Sequence, residues 1–561
     1  MKLIHVFIES HKSIRSLNVS LGGPFNLRFT LESVVIERRG DTTAYYRGYH
    51  CSAIIGANGV GKSSILGFIE SALFITDSVG TLVFLNESDQ SLHACCINME
   101  LVSTENIEIT QYDGLENFAQ THNIKIIKIN NVTEAQNRLG YEKQSHHPLL
   151  QNRSLDHYSR LKSRRKRYFD NLLRYFRWSS NSENLIEDVG FEFNFHDSTE
   201  KLRRYSISAS LSKTHQQVVK DSEELLGRLI QSNNKNWSST STRLNELLFS
   251  YNIYPLITDL SSEISSEHRK QISTFLYYYL LKSISFNYTS FQKAFEDSIE
   301  ALRYSENWNI FSSPTFTSSF QADDIDIYRM QEILSQATHA FSSISSQLYE
   351  IPRRIRNREL ELSYLVDDFY SVSEIIGLSN TLPRNTLANI SWGWRGISTG
   401  EMAKSHIFSE TFDCLNKSKR TNYLIVIDEV DLYLHPEWQR SFLHSYLELL
   451  DNIQGFRIRP QILLTTHSPI IVSDFLPGDI ASLTKDTNGM IGTRKSLGFG
   501  TNITNLFIDG MHVDSTFGEH SRRVITTLME RAKEGSLTDF DKSIIEHMGN
   551  TYIRDYLLKN D

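Results

Sequence analysis

The 561-residue chain has little cysteine, little proline and no long apolar run. Its cysteines have neither the spacing of a metal site nor that of a disulfide framework, so reduced thiols in a cytoplasmic protein are expected. The most apolar stretch, 275–281, ends at Lys282 and is too short to cross a bilayer, so no membrane segment is predicted. The four cysteines are Cys51, Cys95, Cys96 and Cys414.

Basic residues are in the minority, with 58 Lys and Arg against 66 Asp and Glu. The net charge of −8 excludes nucleic-acid binding through an overall positive field, so such binding needs a local patch. One patch is present, because Arg160–Arg177 carries eight basic residues against one Asp, with aromatic residues between them. This composition is typical of a nucleic-acid surface. It is also typical of an amphipathic helix that buries its aromatic side chains, and both interpretations stay open.

A phosphate-binding motif is the strongest signal in the chain. Residues 56–63, GANGVGKS, fit the pattern G-x-x-x-x-G-K-[ST] between a predicted strand and a predicted helix. In this motif the glycines let backbone N–H groups approach phosphate oxygens. The lysine reaches the β- and γ-phosphates, and the hydroxyl is a ligand of Mg²⁺. The predicted nucleotide-binding residues here are Gly56, Asn58, Gly59, Gly61, Lys62, Ser63 and Ser64, with Ser63 also a metal ligand.

Two adjacent carboxylates follow the apolar run 423–427, YLIVI. The carboxyl ends of parallel strands are where α/β sheets bind ligands. We therefore expect Asp428 to hold Mg²⁺ and Glu429 to act as the general base toward the attacking water. A second apolar strand, 461–465, ends shortly before His467, which can donate a hydrogen bond to the γ-phosphate of a nucleotide.

Four motifs stand in the order GANGVGKS, ISTGE, YLIVIDE and TTHSP. This order resembles the head domains of ATP-binding-cassette-type (ABC-type) ATPases. The runs IDEVDLYLHPEWQ and TTHSP most resemble the overcoming-lysogenization-defect (OLD)-like branch, of the AAA_21 type, and the layout is similar to the PtuA ATPases of Septu and retron anti-phage systems. The resemblance implies an α/β fold, namely a P-loop ATPase head with a mixed sheet and flanking helices, split by a mainly helical insertion.

The resemblance also implies roles for further residues and two cofactors, ATP and Mg²⁺. Two ATPase heads would meet in a homodimer or higher oligomer, with a signature motif from one copy capping the γ-phosphate bound by the other. Asp431 would lie in the loop at this interface, and His467 would be the switch histidine. The signature residues are Ser398, Thr399, Gly400 and Glu401.

Domain divisions follow from the change of pattern along the chain. Strand-like alternation ends near residue 130, helical spacing dominates until the 380s, and short helical patterns fill the end. The predicted domains are 1–130 and 385–510 for the two parts of the head, 131–384 for the insertion, and 511–561 for a helical tail.

Two family features have only candidate residues. The glutamine loop could use Gln111 or Gln151, and an aromatic side chain that stacks on adenine could be Tyr45 or Tyr46.

The resemblance implies a regulatory subunit of a bacterial anti-phage complex. Its nuclease would be a separate HNH-type, PtuB-like subunit, and in a retron context a reverse transcriptase and its multicopy single-stranded DNA (msDNA) or RNA would also bind. No nuclease is expected in this chain, because the lone pair Asp539 and Asp541 does not follow an apolar strand.

Two other functions stay open at this point. A DNA-repair ATPase of the structural-maintenance type would need a long coiled coil, and no sustained heptads are present. An ATP-dependent RNA-cleaving toxin would need a catalytic cluster outside the head. Its candidates are His146, His147, His157 and Arg160.

Overall fold

A computed structural model describes most of the chain, which divides into two compact units. We call residues 1–175 with 399–561 the head unit, and residues 176–398 the insertion unit. The domain divisions predicted at 131, 385 and 511 stay predictions. The described residues are 1–30, 33–101, 107–131, 147–159, 162–179, 190–196, 211–235, 240–262, 264, 268–311, 325–349, 353–356, 359–365, 369–417, 422–453, 459–511, 513 and 515–559.

Strands occur in both units. In chain order they are β1 Lys2–His11, β2 Ile14–Ser20, β3 Phe25–Phe29, β4 Val34–Arg38, β5 His50–Gly56, β6 Val79–Leu85, β7 Leu92–Ile97, β8 Ile109–Asp113, β9 Ile124–Asn130, β10 Leu150–Asn152, β11 Gly190–His196, β12 Arg353–Arg356, β13 Glu359–Leu365, β14 Ile390–Arg395, β15 Asn422–Asp428, β16 Gln461–Thr465, β17 Ile480–Lys485 and β18 Ile491–Arg494.

The helices are numbered in the same way. They are α1 Lys62–Ser71, α2 Glu116–Thr121, α3 Leu155–Ser159, α4 Lys162–Ser179, α5 Lys213–Lys235, α6 Ser241–Tyr251, α7 Ile253–Leu260, α8 Arg269–Asn287, α9 Phe291–Glu300, α10 Ile327–Leu348, α11 Phe369–Ser379, α12 Arg384–Ala388, α13 Thr399–Lys417, α14 Pro436–Asn452, α15 Pro469–Val472, α16 Ile503–Asn505, α17 Glu519–Lys533, α18 Asp539–Glu546 and α19 Thr551–Lys559.

A seven-stranded sheet lies at the centre of the head unit, in the order β10-β9-β15-β16-β5-β17-β18. Neighbouring strands are parallel except for β17 and β18. Strands β15 and β16 are almost fully buried apolar runs, as expected for parallel strands covered on both faces. Because the pairing is parallel, β5, β15 and β16 end at the same edge, and the predicted site residues follow these three ends.

A second sheet of five strands, β2-β1-β6-β7-β8, belongs to the same unit. One apolar core joins the two sheets through α1, with Val6 and Leu82 from the second sheet, Ile65 and Phe68 from α1, and Val426 from β15. Full burial of a side chain such as Phe68 contributes about 1.5–3 kcal/mol. This core holds the helix that follows the phosphate-binding loop against the central sheet, and the predicted α/β class is confirmed.

The insertion unit is mainly helical, as predicted, but it also contains an antiparallel sheet in the order β12-β13-β11-β14. The sequence pattern was interpreted as helical here, and this sheet was missed. The signal was present in β11, where Phe191, Phe193 and Phe195 are buried and alternate with partly exposed polar residues. A strand pattern of this length is short enough to be overlooked between long helices.

No helix in the part of the chain that the structure describes is long and apolar enough to cross a membrane. The four cysteines are buried free thiols.

Candidate functional site

The loop between β5 and α1 can be closed only by glycines. Gly56, Gly59 and Gly61 have φ angles of 143°, 77° and 98°, in the region that side chains disfavour. At Gly56 a Cβ atom would lie 2.6 Å from the carbonyl oxygen of Leu483, so a side chain there would also clash with the neighbouring strand. The loop conformation therefore follows directly from the spacing of the three glycines.

Lys62 begins α1 and its side chain is buried against the loop. Its Nζ donates to the carbonyl oxygens of Gly56 at 3.0 Å and Ala57 at 3.2 Å. Burial lowers the pKa of Lys62, and three nearby carboxylates oppose this shift through their charge. These are the carboxylates of Glu429, Asp428 and Asp431. The lysine and the acidic residues, which are more than 360 positions apart in the chain, therefore lie at the same edge of the sheet.

The outer side of the loop is open to solvent. Asn58, Gly59 and Ser63 are exposed, and Ser64 is partly buried in the first turn of α1. The first N–H groups of a helix have no acceptor within the helix, and they carry a positive partial charge. A helix that begins directly after a glycine loop is therefore suited to phosphate oxygens.

Asp428 is the last residue of β15 and is buried. Its Oδ1 accepts a hydrogen bond from Thr465 Oγ1 at 2.6 Å, and its Oδ2 accepts one from Asn130 Nδ2 at 3.4 Å. The two donors are the last residues of the neighbouring strands β16 and β9. The sequence analysis missed Asn130. Its signal was its position at the end of an apolar strand, but the pairing of that strand with β15 could not be read from the sequence.

Glu429 has a left-handed backbone conformation, with φ of 50°. This conformation costs a residue with a side chain about 1–3 kcal/mol and is common at functional sites. The backbone N–H of Glu429 donates to Thr465 Oγ1 at 2.8 Å, so one threonine holds both members of the acidic pair.

Asp431 and His467 are joined directly. Asp431 Oδ1 accepts from the backbone N–H of His467 at 3.0 Å and from Thr466 Oγ1 at 2.6 Å. Burial lowers the pKa of His467, the charge of Lys62 lowers it further, and Asp431 and Asp428 oppose the shift. The half-buried imidazole is therefore neutral at pH 7 and belongs to the same cluster of charges.

The donor set fits a magnesium ion that arrives with a nucleotide. Within the described residues, no group of three or more His, Cys, Asp or Glu side chains is arranged to hold a metal. Mg²⁺ at nucleotide sites uses one or two protein oxygens together with phosphates and waters. The hydroxyl of Ser63 and the carboxylate of Asp428 are oxygen donors of this kind, on the loop and at the adjacent sheet edge.

The predicted signature residues lie at the start of α13. Ser398 and Thr399 are exposed, and Glu401 is partly buried in the first turn. Gly400 is buried, and a Cβ atom on it would lie 2.6 Å from Trp438 Cζ3 and 2.7 Å from the carbonyl oxygen of Tyr433. The glycine thus allows a close approach between the start of α13 and the loop that follows the acidic pair.

Of the two adenine-stacking candidates, Tyr46 is buried, and its OH donates to Asp479 Oδ2 at 3.0 Å. Its ring is thus part of the core, whereas Tyr45 is 41% exposed and contacts Phe499. In the central sheet, the residue that pairs with Asp428 of β15 is Asn130 of β9.

The two glutamine-loop candidates lie on other strands. Gln111 is exposed on β8. Gln151 Oε1, on β10, accepts from Arg153 Nη2 at 3.3 Å. Neither glutamine is therefore on the strand that pairs with β15.

The candidates for nuclease chemistry have other contacts where they are described. His147 pairs with Glu116 at 3.3 Å, and His157 contacts the ring of Tyr158. His146 and Arg160 lie outside the described residues. Asp541 accepts from Thr538 in a capping box at the start of α18 and pairs with Arg531 at 2.7 Å.

The basic segment Arg160–Arg177 forms most of α4, although Arg160 and several of its side chains lie outside the described residues. Tyr168 and Phe176 are buried, and the ring of Tyr168 lies 5.4 Å from that of His406. The buried aromatic side chains belong to the core and are not available for stacking on bases. Nucleic-acid binding through this segment stays a prediction.

The arrangement defines a class of protein. A glycine loop at a helix N-terminus, a lysine within it, and acidic and histidine side chains at the ends of neighbouring parallel strands form the nucleotide site of a P-loop ATPase domain.

Comparison with known proteins identifies the family. The sequence profile of the AAA ATPase domain, AAA_15, matches residues 46–472, which is more than half of the chain. The chain therefore belongs to the AAA ATPase domain family. The matching type is AAA_15, where the sequence analysis named AAA_21.

Similar proteins support the OLD-like relation. The Septu protein PtuA of Bacillus thuringiensis is 26% identical over 31% of this chain and 38% of its own length. The Old nuclease of Escherichia phage P2 is 34% identical over 14% of this chain and 12% of its own. The Retron Vc95 probable ATPase of Vibrio cholerae serotype O1 biovar El Tor is 36% identical over 9% of this chain and 8% of its own. The chain thus spans well under half the length of these relatives, and the predicted resemblance to OLD-like ATPases related to PtuA is confirmed.

Proposed function

We propose that this chain binds ATP with Mg²⁺ in the loop 56–64 and hydrolyses it at the adjacent carboxylates. The observation that carries the proposal is geometric. Strands β5 and β15 both pair with β16 in parallel, so the phosphate-binding loop after β5 and the acidic residues at the end of β15 lie at one edge of the sheet. The ammonium group of Lys62 would bind phosphate, and the carboxylates would bind the metal ion and act on the attacking water.

Each residue has one role in this proposal. Ser63 and Asp428 would hold Mg²⁺, which would neutralise charge on the phosphates. Glu429 accepts a proton from the attacking water, and general-base catalysis of this kind contributes about 10²–10⁴-fold. The neutral imidazole of His467 donates a hydrogen bond to a γ-phosphate oxygen, with its main chain held by Asp431.

We propose further that two copies meet head to head around the nucleotides. The exposed residues Ser398 and Thr399, with Gly400 and Glu401, would cap the γ-phosphate of the other copy. Asp431 would lie at the interface. The packing within one copy supports this proposal, because Gly400 lies against the loop 431–435. A nucleotide bound between two copies would therefore contact the start of α13 and this loop together.

A substitution at the exposed end of the motif tests the dimer. Ser398→Arg should leave binding of a fluorescent ATP analogue within about twofold of the wild type and abolish ATP-dependent dimerisation in sedimentation velocity. Glu530→Arg, at an exposed position on α17, is the control and should dimerise normally. Normal dimerisation of Ser398→Arg would contradict the role of the motif.

The relatives suggest the biological setting. We infer that the chain is a regulatory ATPase of a bacterial anti-phage complex in the cytoplasm, because the relatives include Septu PtuA and a retron ATPase. Its effector would be a separate HNH, PtuB-like nuclease. In a retron system a reverse transcriptase and its msDNA or RNA would also bind, with the basic segment Arg160–Arg177 as the nucleic-acid contact.

Purification from the native operon tests this setting. A tagged chain should bring down a nuclease subunit, nucleic acid or both, and phage infection of cells that carry the operon should be restricted. The Lys62→Ala chain is the matched control for both assays. DNA-stimulated hydrolysis by the isolated chain, without any partner, would instead favour a DNA-repair ATPase.

A further inference from the structure

One face of α13 is buried and polar, which is unusual for a helix that packs inside a domain. His406, Glu410 and Asp413 are spaced three or four residues apart, so they share one face, and each is at most 2% exposed. We call these three residues the polar stripe. Nothing in the site chemistry described above uses them.

Glu410 is surrounded by donors from other segments of the head unit. Its Oε2 accepts from Tyr158 Oη at 2.6 Å and from Arg153 Nη1 at 3.3 Å. Its Oε1 accepts from Asn171 Nδ2 at 2.9 Å. These donors come from α3, from the residues just before it, and from α4. Burial raises the pKa of this carboxyl, and the charge of Arg153 opposes the shift.

The other two members of the stripe contact the same segments. Asp413 pairs with Arg153 Nη1 at 3.3 Å and with Arg174 Nη2 at 2.8 Å. The imidazole of His406 lies between aromatic rings, with centroids 5.4 Å from Tyr168 and 6.3 Å from Tyr158. Arg153 therefore links two carboxylates of α13, and His406 contacts the same segments through its ring.

The N-terminal end of the same helix contacts the nucleotide site. Asn131 Nδ2 donates to the carbonyl oxygen of Ala403 at 3.4 Å, and the preceding residue, Asn130, donates to Asp428. Gly400 approaches Trp438 and the loop after the acidic pair. Ten residues of helix separate Glu410 from Gly400, which corresponds to about 15 Å along a rigid rod.

A polar contact between helices controls position differently from an apolar one. Apolar burial is non-directional, whereas a shift of the stripe would leave buried carboxylates and a buried guanidinium without partners, which is strongly unfavourable. Buried polar pairs of this kind are best attested as determinants of register. We therefore expect these contacts to favour one axial position of the helix.

We propose that Glu410, with Arg153, Tyr158 and Asn171, is a positioning residue that fixes the axial register of α13, and thereby places the signature residues 398–401 for capping of a partner's nucleotide. This inference rests on the proposed function, because it assumes that the signature residues act at the γ-phosphate.

Two substitutions at one position test the proposal. Glu410→Leu removes the acceptor but keeps the volume, and Glu410→Gln keeps part of the hydrogen bonding. We expect the kcat of ATP hydrolysis to fall at least tenfold in Glu410→Leu, with an intermediate value in Glu410→Gln. The Kd for a fluorescent ATP analogue should stay within twofold in both, because the phosphate loop is not touched. Assays are run at least 15 °C below the melting temperature of the least stable variant.

Tyr158→Phe is the milder variant if Glu410→Leu does not fold. It removes only the 2.6 Å hydrogen bond to Glu410, and a fall in kcat of about threefold at unchanged Kd is expected. Thr411→Val is the matched control, because Thr411 is buried on the same helix and bonds to Tyr446 on α14 instead. It should melt earlier than the wild type but keep its kcat.

Three results would overturn the proposal. They are a folded Glu410→Leu or Tyr158→Phe chain with wild-type kcat, a loss of kcat in Thr411→Val as large as in the stripe variants, or a rise in Kd that accounts for the loss. The Ser398→Arg chain, measured alongside, separates this proposal from the proposed function. If Ser398→Arg loses turnover and Glu410→Leu does not, only the positioning role fails. If Ser398→Arg keeps full turnover, the role of the signature motif itself fails.

Discussion

The two sides of the nucleotide site are built in opposite ways. The phosphate side, residues 56–63, is a loop with an exposed outer side, and its three glycines have positive φ angles. On the carboxylate side the acidic residues are buried or partly buried, and the side chains of Asp428 and Asp431 are held by threonines and an asparagine at the ends of neighbouring strands. A backbone cradle depends on a few consecutive residues, whereas oriented carboxylates depend on several distant ones. We therefore expect nucleotide binding and turnover to depend on separable parts of the fold.

The largest effect is expected on the phosphate side. Lys62→Ala removes the one cation that the loop buries, so nucleotide affinity should fall by at least about 100-fold, which corresponds to roughly 2.7 kcal/mol. Titration with a fluorescent ATP analogue measures it. Lys533→Ala, at an exposed position in the tail, is the control and should bind normally. Retained affinity in Lys62→Ala would break the assignment of this side to binding.

On the carboxylate side, Glu429→Gln should separate turnover from affinity. Removal of a general base lowers kcat by about 10²–10⁴-fold, while the uncharged side chain keeps the shape and should preserve binding. Phosphate release under single-turnover conditions measures the step. Glu437→Gln, which alters an exposed acid paired with Arg440, should leave it unchanged. Unchanged turnover in Glu429→Gln would exclude the proposed base.

Thr465→Val tests how the carboxylate side is held. The hydroxyl of Thr465 donates to Asp428 and accepts from the backbone N–H of Glu429, so its loss removes one hydrogen bond from each acidic residue. We expect kcat to fall about tenfold, or roughly 1.4 kcal/mol, with a higher Mg²⁺ requirement. A magnesium titration of hydrolysis measures it. Thr411→Val loses a buried hydroxyl elsewhere in the head unit, and an equal effect there would show that the loss is general.

The smallest effect concerns His467. Burial and the charge of Lys62 lower the pKa of His467 in the folded chain below its usual value of 6.5, so below pH 6.5 the unfolded chain binds more protons than the folded one. Stability should therefore fall as the pH drops through 6.5. His467→Gln should lose this part of the pH dependence. The melting temperature of the wild type minus that of His467→Gln should therefore be about 1–2 °C higher at pH 8 than at pH 5.5. The exposed His444→Gln is the control, and identical pH profiles for wild type and His467→Gln would contradict the account.

The insertion unit shows where prediction from sequence stops. Its long helices follow from apolar residues three and four apart, as in α10, where Met330, Ile333 and Leu334 are buried. Its sheet joins β11 to β13, segments about 170 residues apart, and to β14 beyond them. Each strand is four to seven residues long. Short strands carry too few positions for their period to stand out, and nothing local specifies their partners.

The head unit shows the same limit in a different form. The acidic pair could be predicted because an apolar run before two carboxylates is a local pattern, and so could His467 after the next strand. Asn130 could not, because its role depends on β9 lying beside β15. The polar stripe was also missed, because Glu410 and Asp413 look like ordinary solvated helix residues until Arg153, Tyr158 and Asn171 are brought against them.

The sequence by itself determined the phosphate-binding loop, the apolar strands that end in acidic and histidine residues, and the family that their order indicates. Each of these features lies within a few consecutive residues, where backbone geometry and burial act locally. The tertiary structure alone decided which strand lies beside Asp428 and which glycine packs against Trp438. It also decided which side chains pair with the buried carboxylates of α13. These features depend on contacts between segments that are dozens to hundreds of residues apart, and such contacts form only when the chain folds.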